Sequence, residues 1–302
     1  MRRLLTCLTA LLLGLPISLS AHPVEVIDDN GDTVALSAPA QRIISLAPSM
    51  TELLFSLGAG EQIKGVVAYS NHPPAARELP VVAQHDRLDL ESILALQPDL
   101  VVAWRSGNPR AALQQLRDLG ITVYVAEPVI MDDIARQLER LGELTGHAET
   151  GQQLASDFRS QLQEITSGTA PGTEPVRVFY QVWHQPVISV GGAELINDMI
   201  RSCGGVNIFA DLPPGPTVDI ESVLLRNPEL IIASGSSNNE RPEWLDRWRR
   251  WPDLSATFGD HLYHIPPDLV QRHSLRALQG LRQICQYIQQ AADDGSSSAP
   301  SG

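Results

Sequence analysis

Short runs of aliphatic residues alternate along the chain with stretches in which apolar residues recur every three or four positions. The aliphatic runs include IKGVVAY at 63–69 and DLVVAW at 99–104, and intervening amphipathic stretches end at Gly58 and Gly120. Continuous aliphatic runs predict strands buried on both faces of a parallel sheet, and the amphipathic stretches predict the helices that cover it. The pattern therefore predicts an α/β lobe over residues 41–146.

The same alternation returns after Arg177 and continues to the amphipathic stretch SLRALQGLRQICQYIQQ at 274–290. Among its elements, RPEWLDRWRRW at 241–251 predicts a helix. We expect a second α/β lobe over residues 175–291. The small, polar residues 292–302 predict a disordered tail.

Two helices are predicted between the lobes. Apolar residues recur every three or four positions over 131–167, and the period breaks near Gly146 or Gly151. The second helix, predicted over 147–168, is roughly 30 Å long at a rise of 1.5 Å per residue. Such a helix is long enough to pass from one lobe to the other.

The N-terminal forty residues contain an export signal and a hairpin. Residues 1–21 combine two arginines, a short apolar run and small residues before the junction, which is the layout of a secretory signal peptide. The apolar run is too short to span a bilayer, so we expect a soluble chain exported to the periplasm. Residues 22–40 alternate apolar and polar side chains around Asn30-Gly31 and predict a β-hairpin.

Export leaves two cysteines, Cys203 and Cys285, in an oxidising compartment. An even pair there predicts a disulfide bond. Closing a loop of roughly 80 residues would stabilise the fold by about 4 to 5 kcal/mol if the bond acts through chain entropy. The alternative is a pair of buried free thiols.

Charge and the absence of catalytic motifs restrict the function. A formal net charge of -13 argues against nucleic acid or an anionic membrane surface as a partner. The sequence has no G-x-S-x-G, H-E-x-x-H, P-loop or dinucleotide-binding glycine fingerprint, so we expect no enzymatic activity. An exported hydrolase or a sensor domain is the alternative. Three histidines in candidate loops, His72, His85 and His184, are too scattered to indicate a metal site.

A stretch of the first lobe is repeated in the second. LDLESILALQPDLVVAWRSG at 88–107 aligns without a gap with VDIESVLLRNPELIIASGS at 218–236. The offset is 130 residues, and seven of the first eighteen positions are identical. Duplication of an acidic helix start, a proline break and a buried strand supports two similar lobes.

Each copy of the repeat places two acids at the start of a helix. Asp89 and Asp219 are predicted as N-caps, and Glu91 and Glu221 lie in the first turn. The helix dipole stabilises a carboxylate there, which explains one copy well. Matched glutamates in two similar lobes would also form a pair of anchors for a symmetric receptor, because charges at an interface rim favour encounter and register.

The loops that follow the predicted strands carry aromatic residues. Ligands of open parallel sheets sit beyond the carboxyl ends of the strands, so two lobes joined by a helix present their loops to one cleft. Tyr69, Trp104 and Trp183 lie in these loops and are typical of a site for a large, partly flat molecule. Tyr69 and Trp104 could instead cap the core. Asp268 and Arg272, four residues apart, could pair with each other or hold polar groups of a ligand.

The chain resembles the periplasmic cobalamin-binding proteins that supply the vitamin's ABC importer. They belong to the helical-backbone class of substrate-binding proteins, which also binds haem and ferric siderophores. The resemblance covers roughly residues 41–290 and is carried by DLVVAWRSGN, RIISLAPSMTELLFSLG, VVAYSNHPPAA, CGGVNIF and PDLVQR. It implies two Rossmann-like α/β lobes with parallel sheets, joined by one long helix, and a ligand cleft between them.

The resemblance also implies which residues line the corrinoid pocket. Where the best-known members place tryptophans, this chain has His85 and Gly215, so its pocket is expected to be less aromatic. Trp183 directly follows Val182, which matches a pocket-lining position, and its ring could compensate for the missing aromatic side chains. The candidate ligand-binding residues are Tyr69, His85, Trp104, Val182, Trp183, Gly215, Asp268 and Arg272.

Two further pairs of residues match features of this class. Cys203 and Cys285 match its disulfide, and Glu91 and Glu221 match the glutamates that dock on arginines of a two-fold permease dimer. The resemblance implies that the chain captures cobalamin or a related corrinoid and delivers it to an ABC importer. The corrinoid is then the transported ligand, and no resident cofactor or metal is expected. A haem or ferric-siderophore carrier is the alternative, and we expect a monomer.

Overall fold

The structure, a computed structural model, describes residues 23–84, 87–168 and 174–297. The strands are β1 Val24–Ile27, β2 Thr33–Leu36, β3 Ile43–Ser45, β4 Ile63–Val67, β5 Val81–Gln84, β6 Arg87–Leu88, β7 Leu100–Trp104, β8 Val123–Ala126, β9 Val176–His184, β10 Val187–Ser189, β11 Gly205–Asn207, β12 Leu230–Ala233 and β13 Leu262–His264. The α-helices are α1 Pro48–Ser56, α2 Leu90–Ala95, α3 Arg110–Asp118, α4 Met131–Thr145, α5 Ala148–Thr166, α6 Leu195–Ser202, α7 Ile220–Arg226, α8 Ser255–Phe258, α9 Pro267–Val270 and α10 Ala277–Ser297. Short 3-10 helices cover Gly60–Gln62, Pro74–Glu78 and Glu243–Arg250.

The first lobe is built on a six-stranded sheet in the order β6-β5-β4-β3-β7-β8. Its neighbouring strands are parallel except β5 and β6. Strand β7 is buried along its length up to Trp104, as expected for an aliphatic strand covered on both faces. Because β4 and β7 run in the same direction, Tyr69 and Trp104 lie at the same edge of the sheet.

The second lobe is built on a sheet in the order β10-β9-β12-β13, with β11 also paired to β9. Strands β11 and β12 are parallel to β9, and β13 is parallel to β12. Strand β10 turns back antiparallel on the end of β9. The prediction of two α/β lobes with mainly parallel sheets is confirmed.

The hairpin predicted around Asn30-Gly31 is present. Strands β1 and β2 pair antiparallel, and Gly31 adopts a left-handed φ of 84° in the turn. Hydrogen bonds fasten the turn to the first lobe: Asp29 N donates to Val125 O at 3.0 Å, and Val125 N donates to Asp28 Oδ2 at 3.2 Å.

Together, helices α4 and α5 contact both lobes. Helix α4 packs against α1 and α6, whereas α5 packs against α10. The break between them is at Gly146, whose left-handed φ of 78° ends α4. Gly151 lies at the closest approach, where a Cβ would stand 2.5 Å from the Leu138 carbonyl oxygen. The helix pair is therefore a tightly packed connection.

One hydrophobic core runs through both lobes. It includes Leu54 of α1, Leu138 of α4, Phe158 of α5, Val178 of β9 and Leu281 of α10. Two further cores back the outer faces of the individual sheets. Because burial of apolar area is the main stabilising contribution to a fold, the shared core holds the lobes together as one packed unit.

The predicted disulfide is confirmed. Cys203 and Cys285 are bonded, with their Cα atoms 4.7 Å apart and a sequence separation of 82. The bond joins the end of α6 to the middle of α10, so it lies within the second lobe.

Two sequence predictions are wrong in detail. The stretch at 241–251 forms a 3-10 helix over Glu243–Arg250, because its apolar side chains recur every three residues. Those side chains are Leu245, Trp248 and Trp251. The predicted tail is wrong for residues 292–297, since α10 continues to Ser297.

The extra turns of α10 are tied to the second lobe. Ala291 is buried in the shared core, and Asp294 Oδ2 lies 3.1 Å from His261 Nε2. These contacts outweigh the weak helix-forming composition of the segment. The remaining residues of the predicted tail, 298–302, and the predicted signal peptide lie outside the described residues.

Candidate functional site

A cavity of about 430 Å³ lies between the two lobes. Its first-lobe wall follows β7 and β8, and its second-lobe wall comes from β9, β10 and the segments around α6 and α9. The wall is mainly apolar, as in most sites that enclose a small molecule. The residues that line it are Trp104, Ser106, Glu127, Pro128, Val129, Val182, Ile188, Ser189, Val190, Ala193, Glu194, Leu195, Ile196, Pro214, Gly215, Val270, Gln271 and His273.

Trp104 is held in the cavity wall by its own loop. Its backbone N donates to Asn108 Oδ1 at 2.7 Å, and Asn108 Nδ2 donates to Leu46 O at 3.0 Å. The ring lies over Gly107, where a Cβ would stand 2.0 Å from it, so this loop requires glycine. The indole Nε1 is buried and has no hydrogen-bond partner among the described residues. Trp104 therefore presents a partly exposed ring to the cavity, while its N–H is enclosed by the protein.

His273 faces Trp104 from the second lobe. The two ring centroids are 5.7 Å apart, and the ring planes are tilted by 55°. Burial lowers the pKa of His273 to about 4, so its imidazole is neutral at neutral pH. Sequence reasoning missed this residue, although it directly follows the PDLVQR segment and could have been found there.

Asp268 and Arg272 belong to a charged cluster that joins the lobes. Arg272 Nε lies 2.9 Å from Asp268 Oδ1, and Arg272 Nη1 lies 2.9 Å from Glu52 Oε1 in α1. Arg276 also pairs with Glu52, and Ser274 Oγ donates to Glu52 Oε2 at 2.7 Å. We call Glu52, Asp268, Arg272, Ser274 and Arg276 the inter-lobe cluster. It occupies the polar groups that were predicted to contact a ligand, and neither Asp268 nor Arg272 lines the cavity.

Glu52 is the buried centre of this cluster. Its side chain is 3% exposed. Burial alone would raise the pKa of Glu52, but hydrogen bonds from Arg276, Ser274 and Arg272 outweigh burial and hold the pKa below 4.5. Sequence reasoning missed Glu52, and the only signal was a single acid inside the apolar helix SMTELLFSLG.

The remaining predicted ligand residues divide into two groups. Val182 and Gly215 line the cavity with Trp104, whereas Tyr69 and Trp183 do not. Tyr69 has a left-handed φ of 67° and a side chain that is 79% exposed, and its carbonyl oxygen accepts a hydrogen bond from Arg272. Trp183 packs against His184, with ring centroids 5.1 Å apart. The position of His85 lies outside the described residues.

The two repeated helix starts have the same local structure. Asp89 Oδ1 accepts from Ser92 N at 3.1 Å, and Asp219 Oδ1 accepts from Ser222 N at 2.6 Å. Hydrogen bonds from the Ser92 side chain lower the pKa of Asp89, and the same bonds from Ser222 lower the pKa of Asp219. The aspartates therefore cap both helices.

Glu91 and Glu221 are left free of the capping role. Both side chains are exposed, and the sequence of buried and exposed positions is identical over 88–93 and 218–223. Neither glutamate side chain makes a hydrogen bond or an ion pair with the described residues. Capping thus accounts for the aspartates, and the fold uses the repeated glutamates only through the helix dipole in the first turn.

A metal-binding cluster and a membrane-spanning helix are both absent from the described residues. Over 23–84, 87–168 and 174–297, no three or more His, Cys, Asp or Glu side chains are grouped so that they could hold a metal ion. In the same ranges, no helix combines the length and apolar character needed to cross a membrane.

The chain matches known proteins over most of its length. Residues 43–269 match the periplasmic binding protein family. The vitamin B12-binding protein of Vibrio cholerae is 39% identical over 254 residues, which cover 83% of this chain and 90% of that protein. The vitamin B12-binding protein of Yersinia pestis is 37% identical over 260 residues, which cover 84% of this chain and 89% of that protein.

Solved structures show the same relationship. The crystal structure of the periplasmic vitamin B12-binding protein BtuF of Vibrio cholerae superposes with a TM-score of 0.77 at 38% identity, covering 84% of this chain and 98% of that one. The periplasmic haem-binding protein RhuT of Roseiflexus superposes with a TM-score of 0.73 at 22% identity, covering 84% of this chain and 99% of that one, which is a likeness of fold. The family match, the identity and the two-lobe architecture agree, and the chain belongs to the periplasmic binding protein family.

Proposed function

We propose that this chain is a periplasmic binding protein that captures cobalamin or a related corrinoid and delivers it to an ABC importer. The observation that carries the proposal is the apolar cavity between the lobes, with Trp104 in its wall, in a chain 39% identical to a vitamin B12-binding protein. Its role is capture and delivery without chemical turnover.

The cavity suits a large macrocycle with apolar faces and amide side chains. Val182 and Ile188 offer apolar contact, and the partly exposed ring of Trp104 offers an aromatic surface. A corrinoid is larger than the cavity, so it would extend into the mouth of the cleft.

The alternative ligands fit the wall less well. A ferric siderophore or a haem carries negative charge that a site would meet with arginines or lysines. No arginine or lysine is among the residues that line the cavity, and the nearby Arg272 is already paired with Glu52 and Asp268. The lining therefore favours a corrinoid.

Titration with three ligands tests the assignment. We expect the mature chain to bind cyanocobalamin with a dissociation constant on the order of micromolar or lower, and haemin and a ferric siderophore much more weakly. Replacing Trp104 by alanine removes an aromatic wall of the cavity, so affinity should fall about 30-fold, equivalent to about 2 kcal/mol. Isothermal titration calorimetry measures both.

A matched control distinguishes the loss of a pocket contact from general damage to the fold. Trp251, which packs against Trp248 outside the cavity, is replaced by alanine, and cyanocobalamin binding should be retained. If none of the three ligands binds the wild-type chain, or if haemin binds better than cyanocobalamin, the ligand assignment is wrong.

The proposal extends to the membrane partner. Glu91 and Glu221 are exposed, equivalent and without a hydrogen-bond or ion-pair partner among the described residues, which suits two anchor points for a two-fold permease dimer with basic patches. The chain acts as a monomer that places one lobe on each permease subunit. Residues 1–21 serve as a cleavable export signal.

Reversing the charge at both glutamates, Glu91 and Glu221, tests this docking. We expect Glu91→Arg with Glu221→Arg to leave cyanocobalamin affinity unchanged and to lower corrinoid uptake by at least about tenfold, because like charges then face the permease. Uptake is measured in proteoliposomes that contain the importer of the same organism. The control variant carries Glu149→Arg and Glu164→Arg, two exposed glutamates of α5. Equal uptake by the two variants would exclude the docking role.

A further inference from the structure

The imidazole of His273 lies in the wall of the cavity and has a ring nitrogen that no protein group occupies. Its ring lines the cavity and packs against Trp104. Neither ring nitrogen makes a hydrogen bond or an ion pair with the described residues. Burial keeps the imidazole neutral, so a lone pair is available on one nitrogen at neutral pH. The side chain is half-buried in the cavity wall, which leaves a ring nitrogen that no protein group occupies free for a ligand that fills the cavity.

The backbone on both sides of His273 is fixed by the inter-lobe cluster. Arg272 pairs with Glu52, and Ser274 Oγ donates to the same carboxylate. Two neighbours anchored on one buried group leave His273 little freedom to move away from the cavity. This arrangement is typical of a side chain that is positioned in advance for a ligand.

The chemistry that suits this nitrogen is coordination to a metal inside a macrocycle. Neutral imidazole is the commonest protein ligand of transition metals. Among the described residues, no three or more His, Cys, Asp or Glu side chains are grouped so that they could hold a metal ion, so the side chains around His273 do not form a site for a free ion. The remaining equatorial ligands must therefore come from the bound molecule, as they do in a corrin or a porphyrin.

We infer that His273 coordinates the cobalt of a bound corrinoid as an axial ligand. The inference rests on the proposed function and specifies which corrinoids the site prefers. The imidazole lone pair forms a Co–N bond while the bond from cobalt(III) to an axial water breaks, and the water leaves. Cobalt stays in the trivalent state, and no proton is transferred. Corrinoids with an exchangeable axial water are thus favoured over those whose axial positions are both blocked by cyanide.

Absorption spectroscopy tests the inference directly. Wild-type protein is titrated with aquacobalamin, with diaquacobinamide and with dicyanocobinamide, and binding is measured in parallel by calorimetry. On wild type, the near-ultraviolet band of both aqua corrinoids should move to longer wavelength as nitrogen replaces oxygen, and the dicyano form should show no such shift.

Three variants complete the experiment. His273→Ala and His273→Gln should abolish the shift and weaken aquacobalamin binding by at least about tenfold, since loss of a direct ligand should cost no less than loss of a group that supports one. His273→Gln keeps a polar side chain of similar size, and circular dichroism verifies its fold. His147→Ala, outside the cavity at the start of α5, is the control and should keep the shift.

The outcomes separate this inference from the proposed function. Corrinoid binding without a shift on wild type, or with a shift retained in both His273 variants, overturns the coordination and leaves the function intact. Failure of every corrinoid to bind overturns both. Haemin is titrated as well, to test coordination to iron in a porphyrin. A change in the haem spectrum that depends on His273, with no shift for the aqua corrinoids, overturns the assignment to cobalt.

Discussion

Replacing Glu52 by glutamine is expected to lower the free energy of unfolding by about 3 kcal/mol, within the range for breaking a buried ion pair. Glu52 is buried and accepts hydrogen bonds from Arg272, Arg276 and Ser274. Without the charge of Glu52, the two guanidinium groups still have an acidic partner in Asp268, at 2.9 and 3.7 Å, which places the loss at the lower end of that range. Urea denaturation of the purified chain measures the difference.

The control for this variant is a second glutamate-to-glutamine change at an exposed position. Glu61 lies on the surface of the same lobe, so Glu61→Gln should shift stability by less than about 0.5 kcal/mol. Equal stability of the Glu52 and Glu61 variants would mean that the inter-lobe cluster contributes nothing to the fold.

The stabilising effect of Glu52 should also depend on pH. Its pKa in the folded chain is held below 4.5, so the folded state favours the ionised form. The contribution is therefore fully present above the unfolded-state pKa and is lost as pH falls through the lower folded-state value. The stability difference between wild type and Glu52→Gln should shrink below about pH 4.5. A constant difference across the acid range would contradict this account.

The inter-lobe cluster also constrains how the protein opens. It connects α1 of the first lobe to the segment that leads into α10 of the second, beside a core that runs through both lobes. Any separation of the lobes at this end would expose Glu52 and two arginines together. We therefore expect ligand entry by small changes at the cavity mouth, with the cluster intact.

The sequence predicts the architecture because the evidence for it is local. Each aliphatic run and each helical period is contained in a dozen residues, and the repeat at an offset of 130 residues is visible without any structure. Trp104 could be predicted as a cavity residue for the same reason, since it ends a buried strand in the repeated stretch. Val182 and Gly215 fall in predicted loops that the strand pattern brings to the cleft, and the family resemblance singled them out as pocket positions.

The features that escaped prediction depend on contacts between distant residues. Glu52 and Arg272 are 220 positions apart, and no local pattern indicates that an acid inside α1 will meet two arginines from the other lobe. Tyr69 lies just beyond the end of β4, whereas Trp104 is the last residue of β7, and the left-handed backbone of Tyr69 accompanies an exposed side chain. Strands β10 and β11, of three residues each, are too short to show a period.

Removing the disulfide should have the largest effect on stability. Replacing both Cys203 and Cys285 by alanine is expected to lower the free energy of unfolding by about 4 to 5 kcal/mol, the chain-entropy value for a loop of this length. The bonded cysteines are 82 residues apart, so the bond removes much freedom from the unfolded chain. Cys203 is buried in the shared core, and alanine at both positions avoids leaving an unpaired thiol. Urea denaturation under non-reducing conditions gives the value.

Reduction provides the internal control for this prediction. A reducing agent should lower the urea midpoint of wild type towards that of the double-alanine variant and should leave the variant unchanged, because only wild type has a bond to lose. The bond lies between α6 and α10, outside the residues that line the cavity. The double-alanine variant, when folded, should therefore still bind cyanocobalamin with wild-type affinity. A variant as stable as oxidised wild type would show that the shared core alone holds these helices together. The disulfide would then add no stability of its own.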